Sequence, residues 1–591
     1  MNTLKESPET TELAPVPAHQ RIEALDVVRG FALIGICLMN IEFFNRPPAS
    51  LGQGMPAGLT GIDWLASYFV AYFVAGKFWT IFSLLFGMGF AVMLQRAESA
   101  GRGFVKPYMR RIAALAVFGA LHHVFLFAGD ILFSYAVAAV FLLVVLYGTW
   151  KWLLAGLAVA IGVAFVPGFG PAAGGTAAAL VFSGLTAIYM RNEKRPLTLS
   201  LMSLILLVLG ATGALIATVM WTLKVGPTEP RGPITAVSAL LLLLSFLANK
   251  YRNPIEARSW RAGATIYLFF ATMMTIGGAV EYFTPPEPVT PAAAVSVPAV
   301  AAAKVAAPLG AAAKADPNKA DPKKAAAKAP PTEAEKKAER AAERTKQLKK
   351  RAKETATETR VMSSGSYLEL VKLRIDHFGE HAPKEVGMSL LLIGMFLLGA
   401  WFIRSGAMQN ISAYQPLFRK LAFIGLPVGI GMGLLGSLIA TTHVPGARHD
   451  GFGLASGLLM IGNLPACLGY VSMIVLMLHS RSRLAKVSML APFGRMALTN
   501  YLAQSLVMSS IFLGHGLGYW GMGRAGQVLV ALVLCGVQIA FSHWWLTRFR
   551  YGPAEWLWRA VTYLKMPAMR IAPAQAMVQA GAEGSAQNTT S

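Results

Sequence analysis

The sequence predicts an all-α polytopic integral membrane protein, a helix bundle of about 12–14 transmembrane helices, and three observations carry that reading. The chain of 591 residues is 55% hydrophobic and only 14% charged, whereas a soluble domain carries roughly 25% charged residues. Apolar stretches of about 18 residues or more recur along most of its length, enough to cross a hydrocarbon layer roughly 30 Å thick. Those stretches are uninterrupted instead of alternating, and helices satisfy their own backbone polar groups in lipid, where an open sheet edge leaves them unpaired. A mean hydropathy of +0.51 agrees.

Taken in order, the spans fall near 27–45, 62–95, 111–128, 131–149, 151–167, 173–190, 199–223, 234–249, 262–283, 387–404, 418–440, 453–478, 491–513 and 525–547. The second is too long for one straight span. Its first half, around Trp64 to Val74, is expected at the interface, before a break at Gly76-Lys77. Arginines and lysines gather in alternate loops, at Arg96–Arg111, Arg191–Arg195, Lys250–Arg261, Arg481–Lys486 and Arg548–Arg559. Basic loops stay in the cytoplasm, so both termini are expected there. The polar, Pro-rich segment through His19 has no short apolar core of a removable signal, so the first span is read as retained.

The chain divides into a polar cytoplasmic tail (1–20), an N-terminal membrane core (21–167) and extra transmembrane helices (168–284). A low-complexity Ala/Pro/Lys/Glu-rich spacer (285–362), a C-terminal membrane region (363–565) and a disordered tail (566–591) follow. The spacer composition cannot bury a core, although its second half suits a solvated helix. By the span count it lies outside the cell.

The formal charge of +24 belongs mostly to the loops and sets orientation; no aromatic-basic module for nucleic acid is visible. Cys37, Cys467 and Cys535 sit in apolar helices at no shared spacing, which argues against a disulfide framework or thiolate metal site. The histidines and carboxylates form no metal-ligand pattern, and no phosphate-cradling loop of an ATPase is present.

Four blocks carry a family resemblance: "RIEALDVVRGFALIGICLMNIEFF", "RRIAALAVFGALHHVFLFAGDILFSYAV", "PFGRMALTNYLAQSL" and "RFRYGPAEWLWRAVTY". In this order they resemble the YeiB-like family of bacterial membrane proteins, which contain domain of unknown function 418. The resemblance covers roughly residues 20–167 and 363–565, and it implies the bacterial inner membrane. The family in turn looks related to the transmembrane acyltransferases, the acyltransferase-3 and heparan glucosaminide acetyltransferase groups. That relation implies transfer of an acyl group from cytoplasmic acyl-CoA to an envelope glycan or lipid acceptor, with acyl-CoA as co-substrate and no tightly bound cofactor. The acyltransferase-3 group carries an Arg, ten residues and a His in its first span. Here Arg29 is followed at that spacing by Asn40, while in the third span Arg111 is followed by His122.

Candidate site residues follow from depth. Eleven helical residues rise about 16 Å, so Asn40 and His122 reach similar depth in the outer half, as a shared catalytic site or as a polar pair joining helices. Asp130 either orients a histidine or caps the next helix. Asp26, Arg29, Arg110 and Arg111 lie where a CoA thioester would approach from the cytoplasm. Arg495, Thr499 and Asn500 either bind a phosphate or pantetheine arm or join helices. Arg550, Glu555 and Arg559, interleaved with Trp556 and Trp558, read as a phosphate lid or as an interfacial anchor. The leading expectation is an acyltransferase with His122 as general base, Asn40 as oxyanion donor and Asp130 in support. A transporter or flippase of an amphiphilic or anionic small molecule is the alternative, and a structural partner in envelope assembly the third.

Overall fold

In hydrocarbon a backbone without water to bond has to bond itself, and nearly every apolar run of this chain does so as a helix. The structure is a computed structural model that describes residues 21–191, 199–224, 231–284, 333–383, 385–443, 447 and 449–571. The expected tail 1–20 and the spacer portion 285–332 lie outside the described residues. The helices are α1 (Glu23–Asn40), α2 (Gly61–Phe69), α3 (Lys77–Ser99), α4 (Val105–Phe125), α5 (Leu132–Tyr147), α6 (Trp150–Ala164) and α7 (Gly170–Met190). After them come α8 (Leu201–Thr222), α9 (Arg231–Lys250), α10 (Arg258–Phe283), α11 (Glu333–Ser364), α12 (Tyr367–His381) and α13 (Glu385–Arg404). The chain ends with α14 (Ile411–Lys420), α15 (Leu426–Ile439), α16 (Phe452–Leu478), α17 (Ala491–Arg495), α18 (Ala497–Phe512), α19 (Arg524–Leu546) and α20 (Pro553–Tyr563). Among the described residues, 10 helical segments are long and apolar enough to cross a membrane. Helices α4, α5, α6 and α18, shorter or more polar, complete the same all-helical bundle.

Small residues set how closely the helices approach. A Cβ added at Gly87 of α3 would run into the backbone of Phe396 of α13, and one at Gly399 of α13 into that of Leu84. Lipid tails give helices no hydrophobic reason to associate, so such backbone contact is a main source of packing. The other side of α13 receives α10 through Gly263 and Gly394. Tyr267 and Ala271 of α10 are fully buried, and Gly278 meets Gly453 of α16. The segment 168–284, expected as extra helices, is therefore not peripheral as a unit. Its small residues Gly263, Ala271 and Gly278 fall seven or eight apart, on one face of α10, and make that helix part of the core. Helices α8 and α9 form an outlying hairpin, joined by Ser203 and Ser245, whose hydroxyls and carbonyls exchange hydrogen bonds of 2.6–3.1 Å.

Two expected boundaries move. The spacer is read from sequence as running to 362, but α11 is solvent-exposed only over its first part. Glu358, Val361 and Met362 are 3–5% exposed. Glu358 accepts the Ala49 N–H at 2.9 Å and pairs with His377 at 3.0 Å, while the Met362 carbonyl accepts the Gly514 N–H at 2.8 Å. The final tail is read as disordered from 566, yet the Met569 carbonyl accepts the Arg550 N–H at 2.9 Å and Ile571 N–H reaches the Arg548 carbonyl at 3.2 Å. Pro567 also accepts the Trp556 indole N–H at 2.7 Å.

The ends of the helices define two faces. One carries the basic loops around Arg102, Arg252 and Arg483. The other carries the 41–61 segment, α11, α12 and the 513–523 loop. Single-cysteine labelling with a membrane-impermeant reagent on intact cells is expected to modify positions 346 and 518 and to leave 102, 255 and 483 unmodified; the reverse pattern means that the basic face is turned outward. A deletion of residues 300–350, which stops short of the packed end of α11, is expected to leave yield and melting temperature within a few degrees of the parent. A collapse of the protein on that deletion assigns the segment a folded role.

Candidate functional site

The 21-residue α4 is followed by a tight Gly-Asp turn, and this turn brings an aspartate back against a histidine of its last turn. His122 Nδ1 and Asp130 Oδ1 lie 2.7 Å apart, with the two side chains 1% and 0% exposed. A carboxylate only accepts, so Nδ1 carries the proton and donates it to Asp130. In the neutral ring the lone pair is then on Nε2, a buried atom with no hydrogen-bond partner among the described residues. Asp130 Oδ2 meanwhile accepts the Phe133 N–H at 3.0 Å in the first turn of α5. Asp130 thus touches both the imidazole and the first turn of α5. Tyr501 of α18 packs on the imidazole, ring centroids 4.8 Å apart. Its buried hydroxyl lies close to Asp130 but outside hydrogen-bond geometry.

Asn40 is buried at the end of α1, and no hydrogen bond joins its side chain to His122. The link between them is aromatic: Phe44, just beyond Asn40, stacks on Phe127 at 5.2 Å, and Phe127 lies 5.7 Å from the His122 ring. His123 points elsewhere, with its ring 5.1 Å from Phe378 of α12.

Helix α12 closes this end. Tyr367 Oη and Arg374 both donate to the Phe125 carbonyl, at 3.0 and 3.1 Å, satisfying an acceptor that the end of α4 leaves open. Its start is held by a capping box between Ser366 and Glu369. Under α12 lies a cavity of about 10 Å³ lined by Phe43, Phe44, Phe127, Leu370, Arg374 and His377, about the room of one water molecule.

At the other end of α4, on the basic face, arginines converge. Arg29 is held by Asp26 at 2.7 Å. Arg29 and Arg559 lie within electrostatic range of Arg111, and Arg495, Asp26 and Arg559 within that of Arg21. Burial, followed by repulsion from Arg495, weakens the hold of Arg21 on its proton. The guanidinium of Arg111 sits 4.1 Å over Trp558, whose indole N–H donates to the Arg111 carbonyl at 3.2 Å. Arg559 stacks 4.6 Å over Tyr551, and the Nε of Arg495 is buried without a partner. Five arginines around one aspartate leave an excess of positive charge, an arrangement suited to phosphate groups. Arg110 is exposed, about 100° around α4 from Arg111, and stands apart from this cluster.

Thr499 and Asn500 are engaged within the protein. Glu555 accepts from Thr499 Oγ1 at 2.5 Å and from the N–H groups of Leu498 and Thr499 at 2.6 and 3.2 Å, capping the start of α18. Burial pushes the Glu555 carboxyl up from its ordinary value, while the bonds from Thr499 and Leu498 pull it down. Asn500 Nδ2 donates to the Phe493 carbonyl and to Ser542 Oγ, at 3.2 and 3.0 Å.

Arg21, Tyr501 and α12 escape a reading of the sequence alone. Arg21 lies outside any apolar span, and Tyr501 reaches His122 from nearly 380 residues away. Among the described residues no group of three or more His, Cys, Asp or Glu could hold a metal ion.

Residues 402–565 match the family described as protein of unknown function DUF418. The uncharacterized protein YxaH of Bacillus subtilis (strain 168) is 24% identical over 560 residues, 94% of this chain and 97% of that protein. The uncharacterized protein YeiB of Escherichia coli (strain K12) is 32% identical over 171 residues, 29% of this chain and 44% of that one. An uncharacterized 39.9 kDa protein in the amylase 3' region of Bacillus acidopullulyticus is 39% identical over 111 residues, 19% and 30% of the two chains. No solved structure matches the chain. The protein is a homologue of YxaH and YeiB, and its residues 402–565 are a DUF418 region.

Proposed function

We propose that this protein is an acyltransferase of the bacterial inner membrane, moving an acyl group from cytoplasmic acyl-CoA to a hydroxyl or amine of an envelope glycan or lipid. The observation that carries the reading is the state of His122: Nδ1 tied to a buried carboxylate, Nε2 bearing a lone pair with nothing bound to it. A histidine so oriented is a general base near neutral pH. Nε2 takes the proton of the acceptor as its oxygen or nitrogen attacks the thioester carbonyl. The new bond forms, the carbon–sulfur bond breaks, and the proton on Nε2 passes to the departing thiolate. The oxyanion formed on the way needs a donor; Tyr501 Oη, on the ring that packs against His122, and the Asn40 amide are the candidates.

The arginine cluster supports the donor half of the reading. Its Arg29, Arg111, Arg495 and Arg559 offer fork-shaped donors for the phosphates of a CoA thioester. Eleven residues of α4, about 16 Å of helix, separate Arg111 from His122, the length that the pantetheine arm has to cover. A transporter of an anionic amphiphile is the second reading, favoured by the interruption between α2 and α3 at Gly76 (φ +80°), since broken helices often form transport sites.

Membranes containing the protein, given radiolabelled acetyl-CoA, are expected to label an envelope acceptor. His122→Ala should abolish labelling while acetyl-CoA still raises the melting temperature of the purified protein. Asp130→Asn should slow transfer by about 10²–10⁴-fold. Full labelling with His122→Ala would remove the acyltransferase reading in favour of transport. Arg559→Ala, on the surface helix α20, should weaken stabilisation by acetyl-CoA about tenfold or more in concentration; unchanged stabilisation means that the donor binds elsewhere.

A further inference from the structure

A second polar centre lies within the bundle, built from α2, α3, α15 and α16. Between α2 and α3 the chain makes a single π-type turn at Val70–Val74, turns at Ala75 and Gly76, and restarts as a helix at Lys77. Gly76 has φ +80°, a conformation that glycine adopts without strain. The amide of Asn463 lies directly on it, where a Cβ would have to be. Asn463 is eleven residues into α16, about 16 Å of helix from its Phe452 end, so the break sits deep in the bundle.

Lys77 is 0% exposed, and Nζ has no hydrogen-bond partner. Nζ lies 3.9 Å from the position a Cβ would take on Gly433 of α15, with Tyr72 beside it. No carboxylate stands within ion-pair distance of it among the described residues. Among the described residues, three other buried cations do have partners for part of their guanidinium. Arg258 donates to the carbonyls of Arg252, Tyr189 and Arg191 at 2.7–3.3 Å. Arg524 has Gln527 at 2.7 Å and Glu42 at 3.6 Å, and Arg374 has the Phe125 carbonyl. A solitary ammonium in hydrocarbon costs several kcal/mol unless a negative group joins it.

Two further features point to the same place. The Oδ1 of Asn463, a residue 3% exposed, has no donor. The N-terminus of the 23-residue α3 has no side-chain cap, and Thr80 turns its hydroxyl back onto the Gly76 and Lys77 carbonyls, at 2.8 and 2.6 Å. The first N–H groups of α3 are thus left without a side-chain acceptor, at the positive end of the helix dipole.

We propose that the break between α2 and α3 is a binding site for an oxyanion, with Lys77 Nζ as its counter-charge, the first turn of α3 as hydrogen-bond donor and Asn463 Oδ1 as acceptor for a hydroxyl carried by the same ligand. The oxyanion is a lipid phosphate or a small free phosphate; both present the same chemistry. The surroundings give a lipid a way in. Ile62, Leu65 and Phe69 of α2 are 49–73% exposed, and Phe423 and Ile424 ahead of α15 are 74% and 61% exposed, so the site is flanked by lipid-facing helices. It is independent of the acyl-transfer reading, whose residues it does not use.

The test uses the purified full chain in detergent, with two probes: phosphatidylglycerol in mixed micelles, followed by native mass spectrometry, and inorganic phosphate, followed by thermal shift. Lys77→Met removes the charge at nearly constant volume, so without ligand the variant should melt no lower than the parent. The phosphatidylglycerol adduct, or the shift with phosphate, should weaken more than about tenfold in that variant, and the arm that responds identifies the source. Gly433→Ala, whose methyl has only the flexible end of the Leu459 side chain to displace, should weaken the same arm and decides the matter if Lys77→Met does not fold. Equal binding of both probes by parent and variants overturns the proposal.

Discussion

The contact on which the rest of the bundle depends is the seating of α13 between α3 and α10. In lipid, helices gain little by hiding apolar surface from one another, so what holds them is close backbone approach and the van der Waals contact it allows. Gly87 and Gly399 let α3 and α13 meet backbone to backbone, and Gly263 and Gly394 do the same for α10 and α13. Ten of the residues between Leu391 and Ala400 are consequently buried. The polar chemistry is arranged around that pole. Helix α12 ends only a few residues before α13 begins, so the seating of α13 limits where the helix that closes over the carbonyl end of α4 can lie. Glu385, the first residue of α13, accepts a hydrogen bond from Ser134 of α5, three residues beyond Ile131 and the Asp130 turn. A side chain at Gly399 would thus be felt at His122, although the two never touch.

How much of this was legible in the sequence depends on the range of the interaction. The helices themselves were, because the apolar run and the cost of an unpaired backbone are local facts. The break before Lys77 was legible for the same reason: Ala-Gly-Lys inside a long apolar stretch cannot continue straight. The pairing of His122 with Asp130 was within reach, since eight residues and one Gly-Asp turn separate them. Interactions made across hundreds of residues left no such trace. Nothing in "TEAEKKAERAAERTKQLKKRAKE" announces that the helix it begins will bury Glu358 against Ala49 and His377. The role of Glu555 as the cap of α18 was hidden likewise, because the amphipathic tail around it reads equally well as an anchor. Small residues at seven- and eight-residue spacing in α10 did signal a core helix, but a reading by span count and family length passes over them.

The same physics separates the polar groups that hold the bundle together from those left open. Asn500, Gln504 and Gln538 are all buried, yet their amides bond to one another or to nearby backbone and sulfur, which is the ordinary use of polar side chains between membrane helices. Arg258 and Arg374 spend their guanidinium groups on carbonyls that helix ends leave over. His122 Nε2, Lys77 Nζ and Asn463 Oδ1 differ in having no such partner. A buried polar atom left unpaired costs free energy that burial elsewhere has to offset, so its retention asks for a reason, and a ligand is the direct one.

Those open groups also differ in kind, and the difference constrains what the protein can do. His122 presents a lone pair, so it accepts a proton or a hydrogen bond and would gain nothing from an anion. Lys77 presents an ammonium at the positive end of a helix and would gain nothing from a second cation, and more from a negative oxygen than from a neutral one. The arginine cluster on the basic face shares the preference of Lys77 for negative oxygen, but it is met from the aqueous edge, where Arg110 and the surrounding loops are exposed, whereas Lys77 is met from within the bundle. A single anionic molecule cannot satisfy both at once unless it reaches from the edge to the interior. The arginines therefore suit a soluble, multiply charged anion, and Lys77 suits an oxyanion that is met within the bundle. The packing of α13 thus holds on one scaffold a buried lone pair, a buried ammonium and an arginine cluster at the edge, each open to a different kind of partner.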